Sequence, residues 1–304
     1  MYLRLGWVVG NAGFGGALVI ILLAKLVTVT TGLAIASMAS NIKIGHGGSY
    51  AIISRSLGLE IGGAVGIPLY LSQALGGAMY IIGFTEAWMA IFPHHSPLQV
   101  GGIVLAFLLI IALISAKVAM KFQYLIMVLI SVSLVSFFMG KGDGAGQISL
   151  WGTLESVPFW TVFAIFFPAV TGIEAGAAMS GDLKDPKRSL SVGILSAIGI
   201  SFVVYVALAF WMDFSVSTES LKSNYMVMLD VSKWRTVVAG AILGATLSSA
   251  LGSIVGGRER SWPWGSTKFS PLEKFWGVRV KAANPALPHL SLVSSSVWVF
   301  YSAI

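Results

Sequence analysis

Long apolar runs separated by short polar segments make up most of the chain. Three of the runs are Val100 to Ile114, Leu125 to Met139 and Val192 to Met212. Each reaches or approaches the length of about 20 residues with which a helix crosses a bilayer. Since a helix bonds all its backbone groups within one segment, it suits hydrocarbon. The pattern therefore predicts an all-α, polytopic membrane protein.

The polar interruptions divide the chain into about eight predicted spans, counted on the usual spanning length. A half-span from Tyr2 ends in a glycine-rich break between Gly10 and Gly16. The third span is expected to be interrupted at Gly76-Gly77, and Asp213 to Lys233 to be a polar connection. The remaining helices are expected over residues 16–40, 61–88, 98–115, 122–139, a sixth after the Gly140 to Glu155 loop, 190–212 and 237–255.

The sixth span departs most from the apolar pattern. Phe166 to Gly176 starts as a transmembrane helix, then carries a proline, a threonine, two glycines and a carboxylate, and leaves through the charged turn Ser180 to Pro186. An unpaired backbone group in hydrocarbon costs several kcal/mol, so such a segment survives only in protein or beside a cavity. Broken helices hold the substrate in many secondary transporters. This stretch therefore predicts a binding site.

Composition supports the membrane interpretation. Of 304 residues, 56% are hydrophobic and 10% charged, with a mean hydropathy of +0.87, whereas soluble domains are about 25% charged. The net charge of +7 comes from scattered residues, so nucleic-acid binding is not expected. The absence of cysteine excludes disulfides and thiolate metal sites.

Lysine and arginine predict the orientation, because cytoplasmic loops are enriched in them. The predicted cytoplasmic loops hold nine basic residues and the loops of the other side hold four: Lys43, Arg55, Lys117, Lys121, Lys184, Lys187, Arg188, Arg258 and Arg260, against Lys141, Lys222, Lys233 and Arg235.

Lys25 lies inside the second predicted span. We interpret it as a side chain that snorkels or faces the helix bundle, in preference to an ion relay.

An enzyme is not expected, since no loop carries a nucleophile-base pair, metal spacing or a phosphate loop. No cofactor is expected either. His46, His94 and His95 are interpreted as surface residues, and Asp182 and Asp185 as solvated residues of a helix end and turn.

Five blocks of residues follow one another between about residues 1 and 257. The blocks are Leu3 to Gly10 with Ala12-Gly13; Thr31 to Leu33 with Gly47 to Tyr50 and Ile53 to Gly58; Ala78 to Tyr80 with Gly83-Phe84 and Glu86; the sixth-helix block; and Ala245 to Leu251. In this order they resemble the cation-chloride cotransporter branch of the amino acid-polyamine-organocation transporter superfamily. This resemblance implies a partial inverted-repeat (5+5) fold with broken first and sixth helices.

The resemblance also implies ligands for each ion. Potassium would be held by oxygens of Tyr80, Pro168 and Thr171. Chloride would be held by backbone amides of Gly172, Ile173 and Glu174, and free N–H groups at a half-helix start do form anion sites. Sodium, in members that couple it, would be held by Ala245, Ser248 and Ser249 through oxygen atoms, which hard cations prefer.

Other interpretations of these residues stay open. Ser248 and Ser249 also suit close helix packing, and Tyr80 also suits a membrane-interface position. Pro168 and Thr171 are also compatible with a tolerated kink and a back-bonded hydroxyl. Glu174 is unusual beside an anion site, and it motivates proton or amino-group coupling as an alternative.

Both ends are expected to be incomplete. The chain begins inside the first helix of the family, so the ligands of the preceding half-helix are absent. Residues 1–257 form the predicted transporter domain, and residues 258–304 an atypical tail. Our hypothesis is that residues 258–304 are translated from a shifted reading frame. Codons that start at the last base of the Gly257 codon permit a sequence similar to the one that the family has after the eighth helix.

The function predicted for the full-length relative is secondary active symport of chloride with potassium, with or without sodium. The alternatives are an amino acid permease of the same superfamily and a non-transporting truncated remnant. A multi-pass location in the plasma membrane is expected, with the lipid bilayer and small inorganic ions as partners. A homodimer is left open.

Overall fold

The computed structural model describes residues 2–41, 48–114, 116–143, 148–152, 157–173 and 186–266. Every regular element within these ranges is a helix, which confirms the all-α prediction. The elements are α1 (Tyr2–Asn41), α2 (Gly48–Leu57), α3 (Leu59–Ile91), α4 (Pro97–Ile114), α5 (Ala116–Phe138), α6 (Phe159–Phe166), a 3₁₀ helix (Phe167–Ala169), α7 (Pro186–Ser215), α8 (Thr218–Ser223), α9 (Val227–Val231) and α10 (Arg235–Ser266).

Four of these helices are long and apolar enough to cross a membrane: Arg4–Met38, Leu59–Ile91, Arg188–Ser215 and Arg235–Gly256. Large apolar side chains on the helices face outward, among them Ile103, Leu125 and Ile200, each at least 64% exposed. Burying apolar surface away from water is favourable, so these faces suit hydrocarbon. The architecture fits the predicted membrane protein.

The chain forms two compact units. The first comprises the described parts of Met1–Ala34, Met127–Ile173 and Val192–Ile242. Its core includes an apolar stripe of α1 in which buried residues recur at three- and four-residue intervals, the spacing of one helix face. The stripe consists of Leu5, Val8, Val9, Ala12, Ala17, Ile20, Ile21 and Ala24, and it packs with Phe137, Phe166 and Met212.

The second unit comprises the described parts of Ile35–Ile126, Glu174–Ser191 and Leu243–Ile304. Residues of α3, α4 and α10 form its core, among them Ile81, Leu108 and Leu251. The predicted interruption at Gly76-Gly77 is wrong, because α3 is continuous. A Cβ on either glycine would lie 3.7 Å from Ser253 of α10, so these small residues serve close helix approach.

The predicted glycine-rich break in α1 is present at Gly13, which has φ +71° and ψ 173°. Its neighbours bond to the segment 149–152: Phe14 N donates to Ser149 O at 2.8 Å, and Gly152 N donates to Ala12 O at 2.8 Å. Asp213, which is 6% exposed, fixes the segment by accepting from Ser149 N at 2.7 Å and Oγ at 2.9 Å. These bonds satisfy backbone groups that the break removes from the helix.

The segment from Asp213 to Lys233, predicted as a polar connection, contains α8 and α9. Ser217 caps α8 by accepting a hydrogen bond from Ser220 N, as serine commonly does at this position. Leu221 and Met228 are 1% and 2% exposed. The apolar residues within this polar segment therefore fold it onto the first unit's core.

Candidate functional site

The sixth span ends inside an apolar sequence. Helix α6 stops at Phe166, the 3₁₀ turn Phe167–Ala169 follows, and Gly172 has φ +114°. Pro168 has no N–H to donate, and its ring crowds the carbonyl four residues earlier, which favours the end of the α-helix at this point. The chain thus breaks within the stretch that the sequence singled out.

The far side of this break offers unpaired backbone donors. Within the described residues, the N–H groups of Gly172 and Ile173 have no hydrogen-bond partner. The space beside Gly172 is open, because a Cβ added there would meet no atom within 4 Å. Such groups can bind an anion. Glu174, the third residue of the chloride-like set, lies outside the described residues.

Two predicted potassium ligands lie together on the near side. Thr171 Oγ1 donates to the Pro168 carbonyl oxygen at 2.9 Å, and Thr171 is exposed. This bond is the back-bonded hydroxyl that a tolerated kink also explains. It occupies the hydroxyl proton and leaves oxygen lone pairs on both groups, which a cation can use.

The third predicted potassium ligand, Tyr80, belongs to α3 in the second unit. It is partly buried and packs against the core shared by α3, α4 and α10, together with Leu243 and Leu247 of α10. Pro168 and Thr171 belong to the first unit.

The predicted sodium ligands lie on α10, also in the second unit. Ser249 Oγ donates to the Ala245 carbonyl oxygen at 2.9 Å, one helical turn away. Ser248 is half-buried. Thr246 follows Ala245 on the same helix, and its Cγ2 atom would lie 3.8 Å from a Cβ added to Gly83 of α3. The region therefore combines predicted oxygen ligands with the small-residue packing that was the alternative.

Sequence reasoning missed a polar cluster in the first unit. Lys25 Nζ donates to Ser201 Oγ at 2.5 Å and lies 5.5 Å from the ring centroid of Tyr205. Tyr205 Oη in turn donates to the Ala169 carbonyl oxygen at 2.8 Å, at the break. In the sequence, Ser201 and Tyr205 lie four residues apart in an apolar run and hence on one face of a helix, and this spacing could have indicated the cluster.

The apolar helices define a polytopic membrane protein. Broken segments like the one after α6 also occur in secondary transporters. The chain belongs to the amino acid permease family, whose model matches residues 1–262.

Several relatives of the chain are members of solute carrier family 12. Solute carrier family 12 member 2 of Mus musculus is 33% identical over 317 residues, which cover 84% of this chain and 26% of the relative. Member 1 of Oryctolagus cuniculus is 32% identical over 318 residues, with 84% and 29% covered. Member 8 of Mus musculus is 33% identical over 273 residues, with 84% and 39% covered.

These relatives confirm the predicted resemblance to the cation-chloride cotransporter branch. The chain spans about a quarter of the length of the first two relatives, at 26% and 29%. It is an integral membrane protein of a transport family.

Proposed function

We propose that the protein is a secondary active transporter that moves chloride together with potassium, with or without sodium, across the plasma membrane. The observation that carries the proposal is the open break after α6, in a chain of this family. Its unpaired N–H groups at Gly172 and Ile173 and its oxygens at Pro168 and Thr171 suit ions of opposite sign.

In this proposal, each ion has its own ligands. Chloride binds at Gly172, Ile173 and Glu174. Potassium binds at the oxygens of Pro168 and Thr171 together with the Tyr80 phenol. Sodium, where it is coupled, binds at Ala245, Ser248 and Ser249. The fold in this proposal is a partial 5+5 inverted repeat with broken first and sixth helices, of which the α6 region is the sixth, and the chain can form a homodimer.

Uptake of labelled rubidium by cells that express the chain tests the proposal. We expect saturable uptake that falls to background when gluconate replaces external chloride. Thr171→Val should weaken rubidium affinity about tenfold through loss of one ligand oxygen. Thr30→Val is the matched control, because the Thr30 hydroxyl is also exposed and back-bonded, to Leu26 O at 3.0 Å. Rubidium uptake that is independent of external chloride would contradict the proposal.

An amino acid permease is the second candidate, and the family match to amino acid permeases favours it. Glu174 is its sequence motivation, since a carboxylate suits proton or amino-group coupling better than anion binding. Saturable, chloride-independent uptake of a labelled amino acid would support this candidate. Background flux of every solute would support a non-transporting polypeptide instead.

A further inference from the structure

Lys25 is a charged side chain inside a membrane-spanning helix. It lies within the apolar segment Arg4–Met38 and is only 6% exposed. Among the described residues, Lys25 Nζ interacts with the Ser201 hydroxyl and the Tyr205 ring, and both groups are neutral. Among the residues that the structure describes, no carboxylate forms an ion pair with Lys25.

The surroundings of Lys25 are arranged to hold an ammonium group. The Ser201 hydroxyl donates its proton to the Ala197 carbonyl oxygen at 2.7 Å, so its oxygen is free to accept from Nζ. The Tyr205 ring presents its face to the charge, which is attractive for a cation. A hydroxyl and an aromatic ring stabilise the charge without neutralising it.

The same cluster reaches the helix break. Tyr205 Oη donates to Ala169 O at 2.8 Å, and the Tyr205 ring packs edge-on against Phe166 at 5.6 Å between centroids. Lys25 therefore lies one side chain from the broken segment. The break, in the same unit, presents the N–H groups of Gly172 and Ile173, which have no partner among the residues that the structure describes.

A buried charge is costly unless an opposite charge accompanies it. Intramembrane ionisable residues accordingly mark ion pathways and ligand counter-ions. We propose that the Lys25 ammonium is the fixed counter-charge for a small inorganic anion of the chloride type bound at the break, and that Ser201 and Tyr205 position it. This inference rests on the proposed function and adds to it the residue that supplies the positive charge.

Chloride binding to the purified 304-residue chain tests the inference. The readout is the thermal unfolding midpoint in detergent as chloride replaces gluconate at constant ionic strength, because a ligand of the folded state raises this midpoint. A unit charge about 10 Å from an anion changes its affinity about tenfold at an effective dielectric constant near 20. Lys25→Met should therefore raise the half-saturating chloride concentration about tenfold, and Lys25→Arg should leave it near the wild-type value.

A second pair of variants keeps the lysine. Ser201→Asp places a carboxylate beside the ammonium and should weaken chloride binding as Lys25→Met does, because an internal ion pair replaces the anion. Ser201→Asn introduces a neutral side chain of the same size as aspartate and should retain chloride binding. This pair decides the question if Lys25→Met does not fold.

Unchanged chloride affinity in Lys25→Met, or in Ser201→Asp, would overturn the inference. So would a Lys25→Met variant whose chloride binding becomes dependent on potassium, because Lys25 would then stand in for a transported cation. If chloride leaves the wild-type midpoint unmoved, the proposed chloride coupling itself fails. A chloride response that is equal in wild type and variants leaves the coupling intact and removes only the role of Lys25.

Discussion

Two helix breaks lie in the first unit, and they differ in what their backbone groups contact. At Gly13 the neighbouring groups are bonded, since Phe14 N and Ala12 O pair with the segment 149–152 at 2.8 Å each. At Gly172 no described residue pairs with the N–H, and no atom would meet a Cβ within 4 Å. The first break is closed by protein and the second is open.

This difference shows how an interrupted apolar segment is to be interpreted. Polar backbone groups in an apolar environment require a partner, and among the described residues only the groups at Gly13 have one. At Gly13 a loop of the protein supplies it, so the break shapes the chain. At Gly172 the partner has to come from outside the described chain, so the break is suited to a ligand.

Replacing Gly13 by alanine should have the largest effect on stability. A Cβ there would lie 2.7 Å from Ser149 O and from Gly152 N, and φ is +71°. Strain and overpacking together should cost about 3 kcal/mol or more of unfolding free energy. Thermal unfolding in detergent measures the loss.

Gly102→Ala is the control for this prediction. Gly102 lies within α4, has nothing within 4 Å of an added Cβ, and should gain slightly from alanine. Equal midpoints for Gly13→Ala and Gly102→Ala would show that the first break tolerates a side chain, and the distinction between closed and open breaks would fail.

Replacing Gly172 by alanine should reduce stability less than Gly13→Ala does, but it should weaken chloride binding more. Its φ of +114° strains an alanine, but no atom opposes the Cβ, so the cost should be about 1 to 2 kcal/mol. The methyl group would fill the space beside the N–H groups and weaken chloride binding. The chloride-dependent unfolding midpoint reports both quantities.

Gly199→Ala serves as the comparison, because Gly199 also has open space but lies within α7 at an ordinary helical φ. A Gly172→Ala variant with the chloride response of Gly199→Ala would argue against an anion at the break.

The positions of both breaks were predictable because their cause is local. Glycine at Gly13 and proline at Pro168 favour the interruption of a helix through their own backbone chemistry. The all-α fold was predictable because a helix bonds its backbone groups within one segment. Local chemistry does not distinguish the two breaks, since the loop that closes the first lies more than 130 residues away in the sequence.

What the sequence did not reveal depends on long-range contacts. The partner of Lys25 is Ser201, 176 residues further along the chain, and no local pattern links them. Gly76-Gly77 resemble a break locally, but Ser253 of α10 makes them a packing surface. Leu221 and Met228 become core residues only once α1 lies against their segment.

The smallest expected effect concerns the exposed carboxylate of Asp143. Asp143 accepts hydrogen bonds from Ser217 N at 3.2 Å and from Ser220 Oγ at 3.0 Å. The Ser217 backbone bond, followed by the Ser220 hydroxyl, lowers the pKa of the Asp143 carboxyl below its ordinary value of 3.8. The folded state therefore binds this proton less readily than the unfolded state does.

A lowered carboxyl pKa stabilises the fold at pH values above the unfolded pKa of 3.8, and this contribution is lost as the pH falls through the folded pKa. The unfolding midpoint should therefore decrease below pH 3.8 in the wild type and decrease less in Asp143→Asn. Glu219→Gln is the control, an exposed acid of α8 whose carboxylate makes no hydrogen bond within the described residues. Identical pH profiles for wild type and Asp143→Asn would mean that these exposed hydrogen bonds add nothing to the stability of the fold.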